Sequence, residues 1–132
     1  MNLARKNTPE QVQFNLFDFG TNGLLPLKKL PHVADLVRLE EEEKLVKFLK
    51  RIRKEIQERK DAFTEYGVAS LNQYEEKSGQ KLPVIVTIVD GFDAVKESPL
   101  EDPIESVLNQ LLREGASVGL YTIITVLRTN SF

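Results

Sequence analysis

The sequence predicts an α/β fold, a three-layer sandwich built on about four mostly parallel strands, and three observations lead there. Segments of strand character at residues 12–19, 82–89 and 119–127 alternate with segments of helical periodicity. The connections between them are long enough to hold crossover helices, which parallel strands require. The run VIVTIV at residues 84–89 is continuously β-prone, as suits a buried strand.

Taken in order, residues 1–11 are polar and read as a helix end or loose arm. Val12 to Phe19, VQFNLFDF, alternates apolar and polar residues and reads as a strand ending at Asp18, with Gly20 punctuating it. GTNGLLPLKKLPHV follows, a Gly- and Pro-rich loop whose leucines imply that it packs down. Ala34 to Leu39 suits a short strand. The strongest helix spans Glu40 to Tyr66, with Leu45, Phe48, Leu49, Ile52, Ile56 and Phe63 on one stripe. Glu40 to Glu43 stand at the positive end of its dipole, and Gly67 ends it. Val68 to Lys77 reads as a shorter helix closed by Ser78-Gly79, ahead of the strand Leu82 to Val89.

A loop containing Ser98-Pro99 leads to DPIE, in which Asp102 suits the N-cap, Pro103 the first helical position and Glu105 the third. Ile104, Val107, Leu108, Leu111 and Leu112 form the buried stripe of this helix, and Gly115 closes it. Gly119 to Leu127 is the last strand, with Arg128 at its C-terminal end.

The 132 residues are 41% hydrophobic and 29% charged, which suits one globular domain with a real core. The absence of cysteine rules out disulfides, thiol catalysis and Cys-ligated metals. A formal net charge of -2 supplies no global basic field for nucleic acid or anionic lipid. No apolar run approaches the ~20 residues of a membrane helix, and MNLARKNTPEQ lacks the apolar core of a signal peptide. Taken alone, the chain reads as soluble and intracellular in character.

In parallel α/β sheets, ligands bind beyond the C-terminal ends of the strands. Three strands here end in polar residues: Asp18, Asp90 with Asp93, and Arg128. Carboxylates and a guanidinium at one rim suit a phosphate–magnesium group; they equally suit strand ends that only need polar residues. His32, the one histidine, sits in a Pro-bounded loop and reads as a packing residue. The Lys/Arg cluster of the long helix (Lys44, Lys47, Lys50, Arg51, Arg53, Lys54, Arg59, Lys60) is interleaved with glutamates and reads as a solvated face. A Gly-rich phosphate loop with Lys-Ser/Thr is absent from the sequence.

In this order the pieces resemble the FtsK/SpoIIIE family of hexameric P-loop motor ATPases. LPHVADLVRLEEE is similar to the family's Pro-His-Leu segment, and EIQERKDAF resembles its Glu-Met-x-x-Arg-Tyr signature through Glu55 and Arg59. YEEKSGQKLPVIVTIVD looks like the passage into the Walker B strand. LLREGASVGLYTIITVLRTNS looks like the helix and strand that usually end in Ala-Thr-Gln-Arg-Pro. Within the family, DFGTNGLLPLKKLPHVADLV and LLREGASVGLY look most like the membrane ATPases of Firmicutes type VII secretion, the EssC/YukB type.

The resemblance implies that residues 1–132 are the C-terminal part of one RecA-like ATPase domain whose Walker A strand lies upstream, leaving a sheet edge open to pairing. It implies ATP and magnesium as ligands of the intact domain, with none expected in the fragment. Asp90 would hold magnesium through water, and Arg128 and Arg113 would sense phosphate. It implies a cytoplasmic domain of a membrane-anchored protein, touching the membrane only through other parts of that protein. Expected partners are neighbouring ATPase domains or subunits and WXG100-type secreted proteins. DNA is disfavoured, because Asp18-Phe19-Gly20 replaces the Asp-Pro-Lys of DNA-pumping members. Gly91 stands where the family carries its catalytic carboxylate, Leu127 replaces the strand-end glutamine, and a second arginine falls on Ala116. Glycine cannot act as a base and leucine cannot orient water, so hydrolysis is expected to be slow or absent. An FtsK-like DNA translocase domain and a nucleotide-independent docking or regulatory module are the alternatives.

Overall fold

The computed structural model describes residues 12–20 and 33–125. Strand β1 (Val12–Asp18) pairs in parallel with β2 (Val33–Arg38) on one side and with β3 (Val84–Asp90) on the other. β4 (Leu120–Thr125) pairs in parallel with β3, so the described sheet is fully parallel with order β2-β1-β3-β4.

Two long connections cover one face. Helix α1 (Glu42–Tyr66) links β2 toward β3, with α2 (Leu71–Ser78) after it. Helix α3 (Glu101–Gln110) links β3 to β4. The stripe Leu45, Phe48, Leu49, Ile52, Ile56 and Phe63 packs with Ile104, Val107, Leu108 and Leu111 onto Phe17, Ile85, Val89 and Leu120. On the opposite face Val12, Phe14, Leu16, Leu36, Val86 and Ile88 form a second buried set drawn from strands alone. The third layer expected over that face lies outside the described residues. At β4 the same face is open: Tyr121 is 49% and Ile123 47% exposed. β4 also bounds the described sheet, which leaves apolar strand surface next to an unpaired edge.

Arg59 is 2% exposed within this core. Its Nε donates to Glu55 at 2.8 Å, Nη1 to the Val118 carbonyl at 2.8 Å and Nη2 to the Pro83 carbonyl at 2.7 Å. One guanidinium thereby ties the end of α1 to the entries of β3 and β4, and every polar group it touches is satisfied.

Gly67 (φ 64) and Gly79 (φ 73) end α1 and α2 in the left-handed conformation, where the sequence placed them. Several boundaries differ: α1 begins at Glu42 rather than Glu40, and β3 runs Val84–Asp90 rather than Leu82–Val89. β2 begins at Val33 rather than Ala34, and α2 begins at Leu71 because the Ser70 hydroxyl caps the Gln73 N–H at 3.2 Å. The expected loop after β3 is a 3-10 turn, Phe92–Glu97. α3 begins at Glu101, a residue before Asp102, with no side-chain cap; Pro103 still falls in the first turn, where its missing N–H costs nothing. Nor does Gly115 close this helix. The chain continues through a π turn, Leu111–Gly115, and a 3-10 turn, Ala116–Val118, to Gly119 at φ 86. Gly115 is needed for another reason: a Cβ there would stand 2.5 Å from the Leu120 carbonyl oxygen.

Candidate functional site at the C-terminal rim of the sheet

Parallel pairing fixes which strand ends meet. Asp18 is the register partner of Arg38 on one side and Asp90 on the other, and Asp90 is the partner of Thr125. The rim therefore carries the row Arg38, Asp18, Asp90, Thr125, with neighbours one strand spacing apart, about 4.8 Å. Asp18 is 3% exposed and Asp90 half-buried. The Thr125 hydroxyl donates to Asp90 Oδ1 at 2.7 Å, which orients the carboxylate and leaves its second oxygen free of that contact. Arg38 turns to Glu40 and Glu41, each at 3.7 Å, and the Glu41 carboxylate also accepts from the Arg38 N–H at 2.9 Å.

Backbone bonds knit the rim. Phe19 N–H donates to the Asp90 carbonyl at 2.9 Å, and Gly91 N–H donates to the Thr125 carbonyl at 3.2 Å. The exit of β1 is thus clasped to the end of β3, and the end of β3 to β4. Gly91 adopts φ 79 and ψ 41, a left-handed conformation that glycine takes freely. A Cβ there would lie 2.9 Å from both the Cα and the N of Gly20 and 3.2 Å from the Phe19 carbonyl carbon. Real Cβ atoms do not approach backbone that closely, so a side chain at position 91 is strained by its conformation and also requires the Phe19–Gly20 backbone to shift.

Asp18 and Asp90 are brought together as expected. Asp93 lies just beyond, exposed on the Phe92–Glu97 turn. Arg113 is not brought to the rim: it is exposed on the π turn ahead of β4, so the length of that strand separates it from Asp90. Its Nε donates to the Asn109 carbonyl at 3.4 Å. Arg128, Leu127 and His32 lie outside the described residues. Thr125 has no role in the sequence reading, and Gly20 enters it only as punctuation after β1 and within Asp18-Phe19-Gly20. A hydroxyl at the end of β4 was the signal for Thr125; only register reveals the approach of Gly20.

Oxygen donors side by side at strand ends suit a hydrated magnesium ion, which takes one or two carboxylates and keeps several waters. Among the described residues no group of three or more His, Cys, Asp or Glu forms a metal cage, and that mode of binding needs none. No helix among the described residues is long and apolar enough to cross a membrane.

The model of the FtsK/SpoIIIE family matches residues 1–121. The chain is 36% identical over 129 residues to the type VII secretion system protein EssC of Staphylococcus aureus (strain Mu50 / ATCC 700699), covering 98% of this chain and 9% of that protein. It superposes on the solved structure of ATPases 2 and 3 of EssC from Geobacillus thermodenitrificans with a TM-score of 0.89 and 39% identity, over 98% of this chain and 25% of that one. A structure of the cytoplasmic domain of EssC gives a TM-score of 0.88 at 39% identity, with the same coverage of 98% and 25%. The fold is that of the RecA-like ATPase domains of these proteins, and the chain spans about a tenth of the length of the curated relative. The chain belongs to the FtsK/SpoIIIE family.

Proposed function

We propose that the chain is the C-terminal part of one ATPase domain in a type VII protein secretion motor, that the domain is degenerate, and that it works in assembly or substrate gating rather than hydrolysis. Kinship with EssC supports the motor. The observation that carries degeneracy is Gly91, held at φ 79 against Gly20 where a general base would have to project. The position lacks a carboxylate, and adding one would require the Phe19–Gly20 backbone to shift.

Nucleotide binding, weak or absent, is a separate property. Magnesium, when bound, screens phosphate charge. Asp90 is the residue placed to hold it through water, with Thr125 fixing the carboxylate, and Arg128 follows β4 as the arginine to meet phosphate. Partners in this reading are neighbouring ATPase domains of the same motor and small WXG100-type secreted proteins. The domain then lies on the cytoplasmic side of a membrane-anchored protein. A net charge of -2 and the Asp18-Phe19-Gly20 sequence weigh against a DNA pump.

Calorimetry of ATP·Mg with the domain extended upstream through the family's phosphate loop tests the reading, with and without Asp90→Ala. The expected result is weak binding that Asp90→Ala abolishes, and turnover no faster than background. Binding indifferent to Asp90→Ala removes Asp90 from the site, and turnover well above background overturns degeneracy. No binding by either form favours the nucleotide-independent docking module.

A further inference from the structure

On the outer surface of the helical layer, α1 and α3 leave a continuous groove that starts at their N-termini, four residues beyond the strand end at Arg38. Its upper part, about 410 Å³, is lined by Glu42, Glu43, Val46, Lys47, Lys50 and Leu100. Its lower part, about 270 Å³, shares Val46 and Lys50 and adds Leu49, Arg53, Pro103 and Val107. The floor is aliphatic: Leu49 and Val107 are buried, Val46 and Leu100 half-buried and Pro103 exposed. One wall is basic. Lys47, Lys50 and Arg53 are exposed and recur at three-residue spacing, so they follow one edge of α1. Among the described residues Lys47 and Lys50 form no ion pair; Arg53 donates to the Ser106 hydroxyl and so bridges α1 to α3 at the lower end.

We propose that this groove docks an acidic amphipathic helix of a partner protein. An aliphatic floor with a cationic edge complements a helix that pairs a Leu/Ile/Val stripe with Glu or Asp beside it, a groove mode read through i, i+3, i+4 and i+7 anchors. From Glu43 to Arg53 the groove runs about 15 Å, or roughly three turns of such a helix. Nucleic acid fits less well, because the floor offers no aromatic for bases to stack on and Glu42 and Glu43 close one end. This docking does not depend on the nucleotide reading of the rim.

The test uses the chain with a fluorescent synthetic peptide of roughly twelve residues, leucines at i, i+3, i+4 and i+7 and glutamates on the flanks, and a twin whose glutamates are lysines. Anisotropy should show the Glu-flanked peptide binding at least about tenfold more tightly than the twin. Lys50→Glu with Arg53→Glu should erase that preference, and Val46→Asp should abolish binding, with unchanged circular dichroism in each. Lys54→Glu, on the same helix but outside the lining, should leave binding intact. Equal binding of both peptides, or binding of neither, overturns the proposal. So does a short DNA duplex that depends on the same lysine and arginine, or self-association of the chain that Lys50→Glu abolishes.

Discussion

Replacing Gly91 by alanine should destabilise the protein more than the same change at Gly67, and the difference measures the contact at the rim. Both glycines are left-handed, at φ 79 and φ 64. An alanine in that conformation costs about 1–2 kcal/mol at either site. At Gly67 a Cβ meets nothing within 4 Å, so the conformational cost is the whole cost. At Gly91 the Cβ meets Gly20 Cα and N at 2.9 Å, both of them backbone. Relief requires moving the Phe19–Gly20 segment, which the bond from Phe19 N–H to the Asp90 carbonyl holds at 2.9 Å. Overpacking of this kind costs roughly 1–3 kcal/mol, so Gly91→Ala should lose about 2–5 kcal/mol in all. Urea unfolding followed by circular dichroism reads both variants at constant m. Equal losses at the two glycines would refute the close approach.

Arg59→Met should cost about 3–5 kcal/mol, because it strands the Val118 and Pro83 carbonyls and the Glu55 carboxylate; a loss below about 1 kcal/mol in the same urea assay would show that the guanidinium is dispensable. Thr87 is fully buried and its hydroxyl has no hydrogen-bond partner, as is also true of the hydroxyl of Thr122, its register partner. Thr87→Val should therefore stabilise by about 1 kcal/mol, and a thermal midpoint that falls instead would count against an unpaired hydroxyl. A hydrogen bond from Lys60, followed by the charge of that lysine, holds the Glu114 carboxyl below its ordinary value. A depressed carboxylate stabilises the fold above its unfolded-state pKa and loses that contribution as pH falls through the folded one. Glu114→Gln should thus be less stable than the parent at neutral pH, and the gap should close in acid; a gap that widens as pH falls would contradict the pairing.

The apolar stripe of α1, the glycines that cap it and α2, and the strand VIVTIVD are local signals, and they were legible in the sequence. The start of α3 was not, because Asp102, Pro103 and Glu105 satisfy the capping rules two residues later than the observed start, where Leu100 is the N-cap and has no capping side chain to signal it. Arg59 was grouped with the solvated lysines although it falls in the gap of the stripe Ile52, Ile56, Phe63. Its place at helical spacing among buried residues was the available sign. At the rim, composition revealed polar strand ends, but which ends meet depends on register, a property of strands far apart in the chain. Asp90 beside Thr125, and Gly20 against Gly91, are of that kind.

Glycine at 20 and glycine at 91, 71 positions apart, meet in space, so on the proposed reading the two departures from the family pattern describe a single change. Where the family resemblance implies Asp-Pro-Lys at 18–20 in DNA-pumping members and a carboxylate at 91 in the family at large, this chain has two glycines in close approach. A glutamate at 91 alone would need the αL conformation and the Phe19–Gly20 position to give way together, and with them the bond that clasps β1 to β3. Gly91→Glu in the extended domain should therefore yield a less stable protein with turnover still at background, rather than a revived ATPase. Hydrolysis rising in that single variant, with stability unchanged, would show that the site lacks only a carboxylate. On the proposed reading, the arrangement of Phe19, Gly20, Asp90 and Gly91 makes the geometry of the rim, and not one missing group, the barrier to hydrolysis.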